Sequence, residues 1–173
     1  DAYVCSACNC TGQEYVEKKD GTCRTCGAVL LARNELTYVA VVLHDGVELL
    51  DFTGPAEVFA RAGGFYVYTV WADGRAITSQ GFLTVQPAYS MESCPWPDVL
   101  VVPGGGAKTL TDDPRMMEWI GVVGKQSEHV LPVCSGAFVL AKAGMHDGLQ
   151  ATAHSTDVNE LRRAAPRTTV HAD

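Results

Sequence analysis

Positive charge is scarce in this chain. Its 173 residues carry 13 Lys and Arg against 20 Asp and Glu, a formal net charge of −7. That balance leaves no basic face for nucleic acid or an anionic membrane, both of which are held by clustered Lys and Arg. Long apolar runs are missing as well: none approaches the ~20 residues that cross a bilayer, and no signal-peptide pattern is present. There is no internal repeat and no low-complexity tract. Cysteine is nearly absent after residue 26, where only Cys94 and Cys134 occur. The first residue is Asp1 rather than Met, so the expectation is a processed or partial chain.

What is present suffices for a core. The chain is 47% hydrophobic and 19% charged, the composition of a globular protein with room for one α/β domain and a small appendage. The other five of the seven cysteines, Cys5, Cys8, Cys10, Cys23 and Cys26, crowd into the amino-terminal end. In a chain without secretory features this clustering reads as a metal site in a reducing cytoplasm rather than as disulfides.

Cys5-x-x-Cys8 and Cys23-x-x-Cys26 are the expected ligands. Each pair can fold as a tight knuckle presenting two sulfurs to one tetrahedral ion. Asn9 and Gly27, which follow the pairs, tolerate the left-handed backbone such turns need. Gln13 to Thr22 can form a short ribbon turning at Asp20-Gly21. Zinc suits four thiolates, and iron is the alternative with the same ligands; Cys10 could replace Cys8. With no open position, the role is structural. The expected division is residues 1–34 for this ribbon and 36–173 for the main domain.

From Leu36 the pattern changes. Tyr38 to Leu43 is a continuous apolar run, the mark of a strand covered on both faces. A helix is expected from Thr53-Gly54-Pro55 to a stop at Gly63-Gly64. Phe65–Trp71 reads as a strand, Ile77–Val85 as a hairpin arm, and Asp98–Val102 as a buried strand ending in Pro103-Gly104-Gly105-Gly106. A helix over Pro114–Gln126 follows Asp112 and Asp113, both candidate caps. Then come a strand and helix around Cys134, a strand near Ala151–Ala153, a helix near Thr156–Arg163 and a strand near Thr168–His171. This alternation predicts a doubly wound, mostly parallel α/β sheet, whose working site lies at the carboxyl ends of its strands.

Cys134 sits between an apolar strand, His129–Val133, and a helical pattern starting at Ala137. A side chain on that sharp turn projects above the sheet, over the positive end of the next helix, where a thiolate is favoured. The alternative is a buried structural cysteine. A nucleophile also needs donors for developing charge, and the N–H groups of Ser135 and of Gly105 or Gly106 are candidates; the alternative for the glycine run is a plain tight turn. The spacing around it fits no phosphate loop, so phosphate binding is the less favoured reading. His154 is placed to approach Cys134 from the side, or is a hydrogen-bonded structural histidine. Asp51, in an apolar stretch, is either a helix cap or a partly buried proton-transfer group. Glu57 reads as surface and Cys94 as a bystander.

Leu50-Asp51-Phe52-Thr53-Gly54-Pro55, Val102-Pro103-Gly104-Gly105, Val133-Cys134-Ser135-Gly136-Ala137 and Ala151-Thr152-Ala153-His154 together resemble the ThiJ/PfpI superfamily, which has a flavodoxin-like, glutamine-amidotransferase-type fold with a nucleophile elbow. Within it, Leu-Asp-x-Thr-Gly-Pro and Ala143-Gly144-Met145-His146-Asp147-Gly148 are most similar to isonitrile hydratases. The resemblance implies Cys134 as nucleophile, Asp51 as its acidic partner and Ser135 as the retained hydroxyl. It also implies a small-molecule substrate, a homodimer, and a further strand and helix beyond Asp173. Ser155 stands where the hydratases carry a bulky aromatic. Glyoxalase, deglycase or amidase chemistry on the same cysteine, a ligand sensor as in AraC-type regulators, and a redox sensor are the rivals. The amino-terminal knuckle resembles rubredoxin-like and zinc-ribbon modules and is foreign to the superfamily pattern.

Overall fold

A computed structural model describes residues 3–5, 21–153 and 155–172. Cys8, Cys10, the ribbon expected over Gln13 to Asp20, and His154 lie outside the described residues. At the amino-terminal end β1 (Tyr3–Val4) pairs antiparallel with β2 (Leu31–Ala32). The main domain runs β3 (Thr37–Val42), α1 (Leu49–Ala62), β4 (Phe65–Trp71), β5 (Ile77–Ser79), β6 (Leu83–Val85), β7 (Tyr89–Ser90) and β8 (Val99–Val102). It continues with α2 (Lys108–Thr111), α3 (Pro114–Gln126), β9 (His129–Pro132), α4 (Gly136–Lys142), β10 (Gln150–Ala151), α5 (Val158–Ala164) and β11 (Thr169–Val170). No helix among the described residues is long and apolar enough to cross a membrane.

Five strands form one sheet in the order β7-β4-β3-β8-β9, and every neighbouring pair is parallel. The unbroken apolar runs explain the centre. Val39 to Val42 on β3, and Leu100 to Val102 on β8, are wholly buried because helices cover both faces. Phe52 of α1, Leu110 of α2, Met116, Ile120 and Val123 of α3, and Val139 and Leu140 of α4 fill the same core. The first strand of the sheet, β3, lies inside it. The chain winds outward through β4 and β7, then returns to the other side of β3 for β8 and β9. The direction of winding reverses between β3 and β8, and the carboxyl ends of strands at such a switch point are where a working site is expected.

Most element bounds agree with the sequence reading. Asp113, one of the two candidate caps, does cap α3, its side chain accepting from the Arg115 and Met116 amides. The start of α1 differs. It begins at Leu49, before Thr53, and Pro55 falls inside the helix. Its entry is anchored from outside: Val47 bridges to Gly105, and the Glu48 N–H donates to the Gly104 carbonyl at 3.1 Å. The Thr53 hydroxyl donates to the Leu49 carbonyl at 2.7 Å, while Pro55 has no N–H to offer the Asp51 carbonyl four residues back. Two short elements, β7 and α2, carry too little periodicity to be legible in the sequence. The β10–β11 pair forms a separate parallel ladder, and Val158 and Leu161 of α5 and Val170 of β11 pack in a cluster with Ala137 of α4.

Candidate active site

The turn carrying Cys134 is fixed by the end of β8. The Val133 N–H donates to the Val102 carbonyl at 3.0 Å, extending the ladder one residue past β9. The backbone then reverses through Cys134 at φ 52°. A non-glycine residue in that region costs about 1–2 kcal/mol, and the neighbouring strands impose it. Gly136 makes the reversal possible: a Cβ there would lie 1.9 Å from the Val102 carbonyl oxygen. Cys134 ends up exposed. The Gly136, Ala137 and Phe138 amides at the start of α4 donate to the carbonyls of Val133, Cys134 and Ser135 at 2.9, 3.3 and 3.0 Å. The first amides of the helix are therefore engaged with the turn itself.

Gly104, in the loop after β8, is where the other groups meet. Asp51 occupies the first turn of α1, and its Oδ2 accepts from the Gly104 N–H at 3.2 Å. The next amide, Gly105 N–H, donates to Ser135 Oγ at 3.0 Å. A Cβ on Gly104 would lie 2.5 Å from Ser135 Oγ, 2.7 Å from Ser135 N and 3.0 Å from Asp51 Oδ2. Asp51 and Ser135 thus converge on one glycine that has no room for a methyl, beside the Cys134 turn. Asp51 is not the helix cap, since Glu48 is the N-cap residue; its half-buried carboxylate is directed at the neighbouring loop.

The amides of the glycine run already have partners within the protein. Gly105 N–H is taken by Ser135 Oγ, and Gly106 N–H donates to the Gly46 carbonyl at 2.8 Å. In this arrangement both are engaged within the protein, and either would have to leave its partner to meet a substrate oxyanion. Gly105, at φ 99°, also lets the loop lie against the chain before α1, where a Cβ would lie 2.4 Å from Glu48 N.

His44 stands at the same edge of the sheet. It follows β3 and is completely buried; its Nδ1 faces the Asp45 carbonyl at 3.0 Å, and its Nε2 has no hydrogen-bond partner among the described residues. Burial lowers its pKa, opposed by the backbone carbonyls of Asp45, Pro103 and Gly104. Asp45 faces outward. The Thr78 amide at 2.8 Å and the Arg75 guanidinium at 2.7 Å hold its carboxyl below the usual range. For His44, only its place at the end of an apolar strand hinted at this burial. Glu57 is exposed and pairs with Arg61, and Cys94 is half-buried, which pushes its thiol pKa up.

Far along the chain from this edge, the sulfurs of Cys5, Cys23 and Cys26 lie within 4.8 Å of one another. Cys5 and Cys23 are buried and Cys26 is exposed.

An elbow cysteine with an acid and a hydroxyl meeting at the switch point of a parallel sheet is a recognisable constellation, and residues 37–170 match the model of the DJ-1/PfpI family. The chain belongs to the DJ-1/PfpI family. It is 37% identical over 117 residues to the isonitrile hydratase of Pseudomonas putida, covering 67% of this chain and 51% of that protein. A crystal structure of a ThiJ/PfpI family protein from Pseudomonas syringae superposes with a TM-score of 0.71 at 26% identity, covering 75% of this chain and 55% of that one. The regulator GbdR of Pseudomonas aeruginosa, an HTH-type transcriptional regulator, is 24% identical over 135 residues, 75% of this chain and 37% of that protein. The chain thus spans about half the length of the hydratase it matches. The DJ-1/PfpI match contains Asp51, the Gly104 loop and Cys134, and leaves the amino-terminal sulfurs outside it.

Proposed function

We propose that this DJ-1/PfpI chain carries the nucleophile and acid of a cysteine-dependent hydratase that converts isonitriles to N-substituted formamides. The observation that supports this most is the convergence of Asp51 Oδ2 and Ser135 Oγ on Gly104 beside the exposed Cys134 turn. Likeness to an isonitrile hydratase adds to it.

The terminal carbon of an isonitrile is electrophilic and carries no leaving group, so covalent addition suits it better than displacement. Cys134 Sγ bonds to that carbon, and the carbon takes a proton through Asp51 to give a thioimidate, R–N=CH–S. Water then adds to the same carbon, one of its protons passing by way of Asp51 to the nitrogen. Collapse of the R–NH–CH(OH)–S adduct forms the formamide carbonyl and releases the thiolate, while the hydroxyl proton returns to the carboxylate. Isonitrile and one water are consumed, and no oxidant or reductant is needed. Ser135, held by Gly105, orients the adduct. A homodimer and a small, uncharged substrate accompany this reading.

Purified protein given a simple alkyl isonitrile should produce the formamide, and Cys134→Ala should lose at least ~10³-fold in turnover. Asp51→Asn, which can still accept from the Gly104 amide, should lose about 10²-fold or more through the missing proton transfer. Absence of formamide from the wild-type protein overturns this reading. Likeness to GbdR then favours a domain that senses a ligand without turning it over, for which saturable binding without product is the signature.

A further inference from the structure

The family match begins at residue 37 and leaves the amino-terminal cysteines unexplained. Two separate pieces of backbone bring them together. Register between β1 and β2 sets Val4 opposite Leu31, which fixes Cys5, the next residue. Cys23 lies in a small hairpin made by the Thr22–Val29 bridge and by the Leu30 N–H donating to the Gly21 carbonyl at 2.9 Å. Within it the Gly27 N–H closes on the Cys23 carbonyl at 2.8 Å, with Gly27 at φ 74°, so that Cys23 and Cys26 present their sulfurs to one side.

We propose that Cys5, Cys23 and Cys26 are ligands of a structural, tetrahedral zinc site. The distances suit it. A Zn–S bond of about 2.3 Å sets tetrahedral sulfurs about 3.8 Å apart. Cys5 Sγ and Cys26 Sγ are 3.4 Å apart, and all three sulfurs lie within 4.8 Å. A disulfide would need about 2.05 Å. The Thr25 N–H points at Cys23 Sγ at 3.4 Å, the kind of amide-to-sulfur contact that steadies a thiolate ligand.

Energetics point the same way. Among the described residues this cluster buries Cys5, Cys23 and Leu30, with Tyr3 and Ala28 partly covered against it. In modules of this size an apolar core offsets little of the entropy of ordering the chain, whereas metal binding contributes folding free energy directly. Sulfur donors without carboxylates select zinc or iron over magnesium or calcium. Cys8, the fourth thiolate expected from the spacing, lies outside the described residues.

The test uses the whole chain, purified under reducing conditions, with metal content measured by mass spectrometry and affinity by zinc and cobalt titration. One equivalent of metal per chain is expected, and the cobalt form should show sulfur-to-metal charge-transfer absorption in the near ultraviolet. Cys26→Ser, at the exposed corner, should weaken binding at least ~100-fold and remove that absorption, while Cys26→His restores binding and Cys94→Ser leaves it intact. A colourless native protein assigns zinc; a red one containing iron replaces zinc in the proposal. Substoichiometric metal with reduced thiols, retention of metal by Cys26→Ser, or a Cys5–Cys26 disulfide in protein kept reduced would each overturn the site.

Discussion

Two regions of this molecule use cysteine in opposite ways. Around Cys5, Cys23 and Cys26 the sulfurs face one another, two of them buried, in a module whose strands are two residues long. At Cys134 a single sulfur stands exposed on a backbone at φ 52°, above a five-stranded sheet whose central valines are inaccessible to water. Among its described residues the first module buries few apolar side chains, and on the proposal above a bound ion supplies what they do not. The second has core to spare, so the sheet can hold a residue in a conformation it disfavours. Strain of a kilocalorie or two is tolerable only where burial elsewhere outweighs it.

Crossed substitutions sharpen this contrast, and the largest effect comes first. Cys134→Ala should cut turnover at least ~10³-fold without changing bound metal, and Cys26→Ser should remove metal while leaving formamide production measurable. Loss of both properties in either variant would break the separation. Next, Gly136→Ala should destabilise the main domain by about 3 kcal/mol, because its Cβ has only 1.9 Å to the Val102 carbonyl oxygen; denaturant unfolding reads this. A smaller change of opposite sign is expected for Cys134→Gly. It removes the sulfur but relieves the left-handed backbone, so stability should rise by about 1 kcal/mol while turnover disappears. An unchanged or lower midpoint would argue against strain at the elbow.

The smallest effect is in the pH dependence. Burial lowers the pKa of His44, so the folded chain resists a proton that the unfolded chain accepts from about pH 6.5 downward. The unfolded state then binds more protons, and stability falls as pH drops through this range. His44→Phe should flatten that part of the profile. His146, also buried and lowered, keeps a similar slope in the variant, and Asp45 contributes in the same direction only at lower pH, because its folded pKa is depressed.

Much of the fold was legible because its signals are local. Val39 to Val42 and Leu100 to Val102 are runs that only a two-sided sheet can bury, and Asp113 with Pro114 marks a helix start without help from elsewhere. The true start of α1 was not legible, since Pro55 suggested a first turn and the anchoring bonds come from Gly104 and Gly105, far along the chain. The glycine run could be located, but not the direction of its N–H groups. Gly105 turned out to hold Ser135, and Gly106 to hold Gly46. His44 gave only its position, because a histidine's burial depends on what later strands lay over it.

The sequence by itself determined the alternation of strand and helix, the elbow at Cys134 and the pairing of cysteines near the amino terminus, since each is written in neighbouring residues. Only the tertiary structure decided that Asp51 and Ser135 meet at Gly104, that Cys134 is strained and exposed, and that Cys5 reaches Cys23 and Cys26. Those outcomes depend on strand order and register, which bring together segments whose separation along the chain carries no information about their distance in space.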